Sequence, residues 1–235
     1  MSRLVSRRKT KKDFFNRRNI LLIIAAAAVV VLVCVLVISC QKREAAKKAK
    51  AARKAELAAT KPATSIEVDL LTPNKYSRPQ IKLKKIKGIV VHYTANPGAT
   101  AMDNRNYFEG LKTSHRTHAS SHFVIGLDGE IIQCVPTKEI AYASNNRNYD
   151  TLSIECCHAA KDGRFEPKTY ASLIRLCAYL CHRFNLKETD IIRHYDVTGK
   201  NCPKYFVEHP KAWKKFLSDV KKALAAKDWN LEVKS

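Results

Sequence analysis

Apolar positions along the chain form one unbroken block, followed by a series of short, punctuated runs. The block is residues 20–38, ILLIIAAAAVVVLVCVLVI: nineteen positions with no charged or polar side chain apart from Cys34. As a helix rising 1.5 Å per residue it would span about 28 Å, enough to cross the hydrocarbon core of a bilayer. Beyond residue 80 the rhythm changes. Residues 87–94, KGIVVHYT, contain Ile89-Val90-Val91 and predict a buried strand. Residues 100–111 predict a helix with Tyr107, Phe108 and Leu111 on one face. Residues 122–127 and 130–135 predict two strands around Asp128-Gly129, and Asp-Gly between apolar runs is a strong hairpin signal. Strands follow at 151–156 and 191–194, and helices at 169–184 and 210–226. In the first of these helices Leu173, Leu176, Cys177, Leu180 and Phe184 recur at helical spacing. Strands interleaved with helices predict an α/β domain with a mixed central β-sheet flanked by helices.

Charge divides the chain further. The 235 residues carry a net charge of +22. Residues 1–60 hold 15 Lys and Arg against 3 Asp and Glu, a net of +12, which leaves +10 for the rest. Eight Lys and Arg precede the apolar block, which favours an N-terminus in the cytoplasm. A cleaved signal peptide has a shorter apolar region. The expectation is therefore a basic cytoplasmic N-terminus at 1–18 and a transmembrane signal anchor at 19–40. Val37-Ile38-Ser39-Cys40 offers the alternative of lipoprotein processing at Cys40. Residues 41–69 form a basic, Ala/Lys-rich spacer without an apolar stripe, and a single domain occupies 70–235. The spacer adjoins a membrane segment, so no nucleic-acid partner is expected. The basic body suits an anionic partner such as a cell-wall polymer.

The eight cysteines form no CxxC pair and no small disulfide pattern. Cys177 and Cys181 lie on one helical face as small buried residues, and Cys134, Cys156 and Cys157 are expected to pack. There is no internal repeat and no Gly-rich phosphate loop. Chemistry gathers in residues 193–203, RHYDVTGKNCP. His194 and Cys202 are both good zinc ligands, and the loop between them can fold back so that both reach one ion. His92 stands at the C-terminal end of its strand, where α/β folds place active-site groups. With His194 and Cys202 it makes a three-ligand set, the pattern of catalytic rather than structural zinc. Other combinations remain open on spacing alone. His115, His118 and His158 lie in polar loops, His182 falls in a helix, and His122 has a packing or supporting role. Asp196 is placed to orient His194.

Four segments in order, GIVVHYTANPGA, SSHFVIGLDGEIIQCVP, SIECCH and RHYDVTGKNCP, resemble the zinc-dependent N-acetylmuramoyl-L-alanine amidases. That family is shared by phage lysozyme-type amidases, bacterial cell-wall amidases and animal peptidoglycan recognition proteins. The resemblance covers roughly residues 70–220. It implies that His92, His194 and Cys202 hold Zn²⁺, that Lys200 is needed for catalysis, and that Glu155 is the general base. Phage-type members carry a catalytic tyrosine where this chain has Ser121, which leaves Glu155 as the better base. Recognition members that have lost hydrolysis typically lack the cysteine, and this chain keeps it.

The resemblance thus implies an enzyme that hydrolyses the amide bond between N-acetylmuramic acid and L-alanine in peptidoglycan. It would be a single-pass protein of the cell membrane with its catalytic domain on the cell-wall side. Two rivals belong to other classes: a non-catalytic peptidoglycan-binding module of the same fold, and a zinc hydrolase acting on another amide or peptide bond.

Overall fold

The structure is a computed structural model, and it describes residues 19, 22–25, 28–48 and 62–234. The chain divides into two units, Met1–Ala59 and Thr60–Ser235. The expected basic N-terminus at 1–18, and residues 49–61 of the expected spacer, lie outside the described residues.

In the first unit, helix α1 runs Leu22–Lys48. Among the described residues it is the one helix long and apolar enough to cross a membrane. It continues past residue 40, the expected end of the signal anchor. Gln41 to Lys48 contain strong helix formers and no proline or glycine, so nothing ends the helix there.

The second unit is built on a seven-stranded mixed sheet with strand order β6-β2-β5-β3-β4-β1-β7. The strands are β1 (Ser65–Val68), β2 (Gly88–Tyr93), β3 (Phe123–Ile125), β4 (Ile131–Gln133), β5 (Thr151–Cys156), β6 (Ile191–Arg193) and β7 (Glu232–Lys234). Among the described strands β3 and β4 pair antiparallel and the other neighbours pair parallel. Their connection closes with Gly129 N–H donating to Gly126 C=O at 3.1 Å, and Gly129 takes φ +83°. A left-handed position after a tight turn calls for glycine, which is the physical content of the Asp-Gly signal.

Helices cover both faces. Helix α2 (Ala101–Ser114) starts with a capping box between Thr100 and Asp103. Helices α3 (Pro167–Phe184) and α6 (Pro210–Ala225) each start on proline, whose missing N–H costs nothing in the first turn. One core joins α3 and α6 to the sheet through Leu173, Leu176, Leu180, Phe216 and Val220, which meet Ile89, Val91, Phe123 and Ile154. A smaller core joins α2 to the other face through Phe108, Val124, Ile132 and Cys157. Tyr107, expected on the buried face of its helix, is exposed. Cys156 and Cys157 fall in opposite cores, as neighbours in extended chain must.

Residues 65–68, expected in the spacer, instead form β1, which pairs parallel with both β4 and β7. The expected strand at 191–194 is shorter by one residue. His194 already begins a short helix, α4 (His194–Thr198), and a second short helix, α5 (Lys204–Glu208), follows.

Candidate metal centre

The β2 and β5 strands are parallel neighbours in register, with His92 opposite Glu155. Registered residues share a face, so both side chains project from the C-terminal end of the sheet, away from the α3/α6 core. His194 reaches the same place from the end of β6, which pairs with the other side of β2. Cys202 returns to it because the α4 turn closes on itself. Gly199 takes φ +77° at the helix end, and Tyr195 N–H donates to Cys202 C=O at 2.8 Å.

The donor atoms of His92, His194 and Cys202 all lie within 4.8 Å of one another, and all three residues are buried. Cys202 Sγ is 3.8 Å from His92 Nδ1. The two imidazoles meet edge to face, centroids 4.7 Å apart. The other ring nitrogens are engaged: His92 Nε2 lies 3.1 Å from Ser144 Oγ, and His194 Nε2 lies 3.0 Å from Asn145 Oδ1. His194 Nδ1 is buried with no hydrogen-bond partner, and so is Glu155 Oε2. Glu155 Oε1 lies 4.0 Å from His92 Nδ1.

These contacts fit a cation. Burial holds His92 far below the ordinary histidine range, with the His194 and Lys200 charges adding to the effect. Burial, then Lys200, lowers His194 as well. Both rings are therefore neutral, the form that ligates. Burial raises the Cys202 thiol to about 12, with Glu155 adding to the rise. Burial raises Glu155 to about 8, and Lys200 opposes that rise. A pocket that disfavours anions and still gathers a thiol, a carboxyl and an orphaned imidazole nitrogen lacks positive charge, which a divalent ion supplies. The donor set of two histidines and one cysteine, with no fourth protein ligand among the described residues, is that of an open zinc site.

Lys200 is exposed on the loop after α4, with its charge felt at His92, His194, Cys202 and Glu155. Asp196, expected to orient His194, does not touch it. Its carboxylate accepts from Arg193 N, Nε and Nη2, which anchor the start of α4. Ser121, in the place of the phage-type tyrosine, turns inward, its hydroxyl donating to Phe123 C=O at 3.0 Å. His122 is buried with both ring nitrogens engaged: Ser153 N–H donates to its Nδ1 at 3.0 Å, and its Nε2 meets Glu139 C=O at 2.9 Å. That is a packing role. His115 and His118 lie against Tyr76. His158 lies in the loop after β5, as expected, and is buried against Tyr93. Ser144 and Asn145 escaped the sequence reading, because a polar NNRNY stretch carries no signal of what its side chains will meet. A cleft of about 390 Å³ opens beside Glu155, lined by Thr94, Asn96, Asn104, Tyr107 and Phe108.

Fold and donor set together define an α/β domain with a candidate three-donor metal site at the C-terminal ends of parallel strands. Residues 82–205 match the family described as N-acetylmuramoyl-L-alanine amidase, and the chain belongs to that family. A probable N-acetylmuramoyl-L-alanine amidase of Bacillus licheniformis is 38% identical over 142 residues, covering 55% of this chain and 40% of the relative. The amidase BlyA of Bacillus subtilis (strain 168) is 34% identical over 175 residues, covering 66% and 46%. The matches thus span about half or less of these curated relatives' length. Among solved structures, the catalytic domain of XlyA superposes with a TM-score of 0.57 at 26% identity, covering 66% of this chain and 99% of that one. PlyL gives 0.57 at 26%, covering 67% and 97%.

Proposed function

We propose that this protein hydrolyses the amide bond between N-acetylmuramic acid and L-alanine in peptidoglycan. The observation that carries this reading is the juxtaposition of His92, His194 and Cys202 beside the unpartnered carboxyl oxygen of Glu155. The relatives named as amidases of that bond support the choice of substrate.

In this reading His92, His194 and Cys202 hold Zn²⁺. When bound, zinc supplies Lewis acidity, polarising the carbonyl and making water ionisable near neutral pH. The remaining chemistry belongs to side chains. Glu155 takes a proton from the attacking water and delivers it to the departing amine. Its carboxylate form is favoured by positive charge nearby, part of which Lys200 provides. Lys200 also faces the negative charge that develops on the tetrahedral oxygen. The cleft beside Glu155 offers Thr94, Asn96 and Asn104 to the polar substrate. Residues 19–40 tether the chain to the membrane as a single-pass anchor, with residues 70–235 on the cell-wall side. That placement brings the basic domain to an anionic wall.

The full chain, zinc-loaded in detergent, tests the reading on purified peptidoglycan with mass spectrometry of the products. Free stem peptides are expected. Intact disaccharide-peptides as the only products would mean another bond is cut, and retention of wall fragments without cleavage would mean a binding module.

A further inference from the structure

We propose that Ser144 and Asn145 are positioning residues of the metal centre, holding His92 and His194 by their far nitrogens so that both Nδ1 atoms face Cys202. The inference rests on the zinc reading above and deepens it.

Two consecutive residues each offer a side-chain oxygen to a different imidazole, at 3.1 Å for Ser144 Oγ to His92 Nε2 and 3.0 Å for Asn145 Oδ1 to His194 Nε2. A neutral imidazole carries its proton on one nitrogen and its lone pair on the other. An oxygen acceptor at Nε2 keeps the proton there and leaves the Nδ1 lone pair free. On that side His92 Nδ1 meets Cys202 Sγ at 3.8 Å, and His194 Nδ1 is buried without a partner. Both rings therefore present the same nitrogen to the same point. Donor atoms around a tetrahedral ion with nitrogen and sulfur ligands lie about 3.3–3.6 Å apart, so modest closure of the present spacing suffices.

The turn that carries the pair is itself held in shape. Asn148 Oδ1 accepts from Ala143 N–H at 3.0 Å and Ser144 N–H at 2.6 Å. Arg147 N–H donates to Ser144 C=O at 2.9 Å. Asn145 sits at φ +54°, a left-handed conformation that asparagine tolerates better than most residues. Ser144 is 1% exposed, so its hydroxyl has no bulk water to turn to. Asn145 has the greater task. His194 begins a helix of five residues at the end of a three-residue edge strand, so its own elements do little to fix its ring. Partners of this kind tune metal affinity by about 10–100-fold.

The experiment compares zinc affinity of the full chain and its variants by competition with a chromogenic chelator, alongside the d–d absorption of the cobalt-substituted proteins. Ser144→Ala removes one oxygen, and Asn145→Gly removes the amide while suiting the left-handed backbone. Each is expected to weaken zinc about 10–100-fold and to shift the cobalt bands, with melting of the metal-free proteins changed by a few degrees at most. Asn145→Asp, which keeps an oxygen acceptor, is expected to restore affinity to within a few-fold of the parent. Zinc affinity within twofold of the parent in both Ser144→Ala and Asn145→Gly would overturn the proposal. Weakened zinc that tracks a collapse of the metal-free melt in both would overturn it too, in favour of a purely structural turn. A parent chain that binds no zinc would instead sink the zinc reading, and the positioning role with it.

Discussion

His92 and Glu155 stand opposite each other on neighbouring parallel strands, with His92 Nδ1 4.0 Å from Glu155 Oε1. One strand register thus puts a ligand and a proton acceptor on the same face, without help from any loop. Glu155→Gln keeps the shape of the side chain and removes its basicity. Zinc content should stay near one per chain while turnover falls about 10²–10⁴-fold. Metal analysis alongside peptide release checks both, and full activity would move the base role elsewhere.

Cys202 supplies the sole sulfur of the donor set. Cys202→Ala should bring bound zinc well below one per chain after dialysis, and activity should go with it. Chelation of the parent followed by zinc should restore turnover. An unchanged zinc content in the variant would remove Cys202 from the ligands.

Lys200 is exposed, so Lys200→Ala should leave stability within about 0.5 kcal/mol of the parent. The rate should fall about 10²–10³-fold, the scale for removing one group that meets a developing oxyanion. Retained zinc with an unchanged rate would reduce Lys200 to a surface charge.

His122 is buried and neutral, and burial lowers it from the ordinary 6.5 to about 4. Between these values the unfolded chain binds the proton and the folded chain does not, so stability rises with pH across that window and is lost as pH falls. The loss from pH 7 to pH 4.5 should be about 2–3 kcal/mol. Urea unfolding followed by Trp213 and Trp229 fluorescence measures it. His122→Gln should be less stable at pH 7 and flatter with pH, whereas an equally steep profile would place the titration elsewhere.

Phe216 is fully buried, stacked on Phe206 at 5.4 Å and packed against Trp213 at 5.3 Å. Phe216→Ala should cost about 3–5 kcal/mol by the same assay at pH 7. A loss below about 1 kcal/mol would show that the α3–α6 core collapses around the gap.

Much of the sheet was legible because its central strands announce themselves. Ile89-Val90-Val91 is apolar on both faces, as a strand covered by helices must be, and the 151–156 run alternates apolar Leu152, Ile154 and Cys156 with polar Thr151, Ser153 and Glu155. The donor set was legible for a related reason: polar residues at the ends of such runs have few structural reasons to be there. What escaped depends on partners remote in sequence. β1 and β7 are short, and each becomes a strand by pairing with the other and, for β1, with β4. Proximity in sequence suggests Asp196 as a helper of His194, but Arg193, the last residue of β6 and the cap of α4, offers it three donors. Ser144 and Asn145 gain their meaning only from a turn set by Asn148.

The order of the seven strands leaves two rims, β6 on one side and β7 on the other, each three residues long. The β7 rim alternates Glu232, Val233 and Lys234, so two of its three side chains are charged and all are exposed. A rim so short and so charged gives a foreign strand little to zip onto. The sheet therefore carries, in its own outermost residues, a guard against edge-to-edge aggregation.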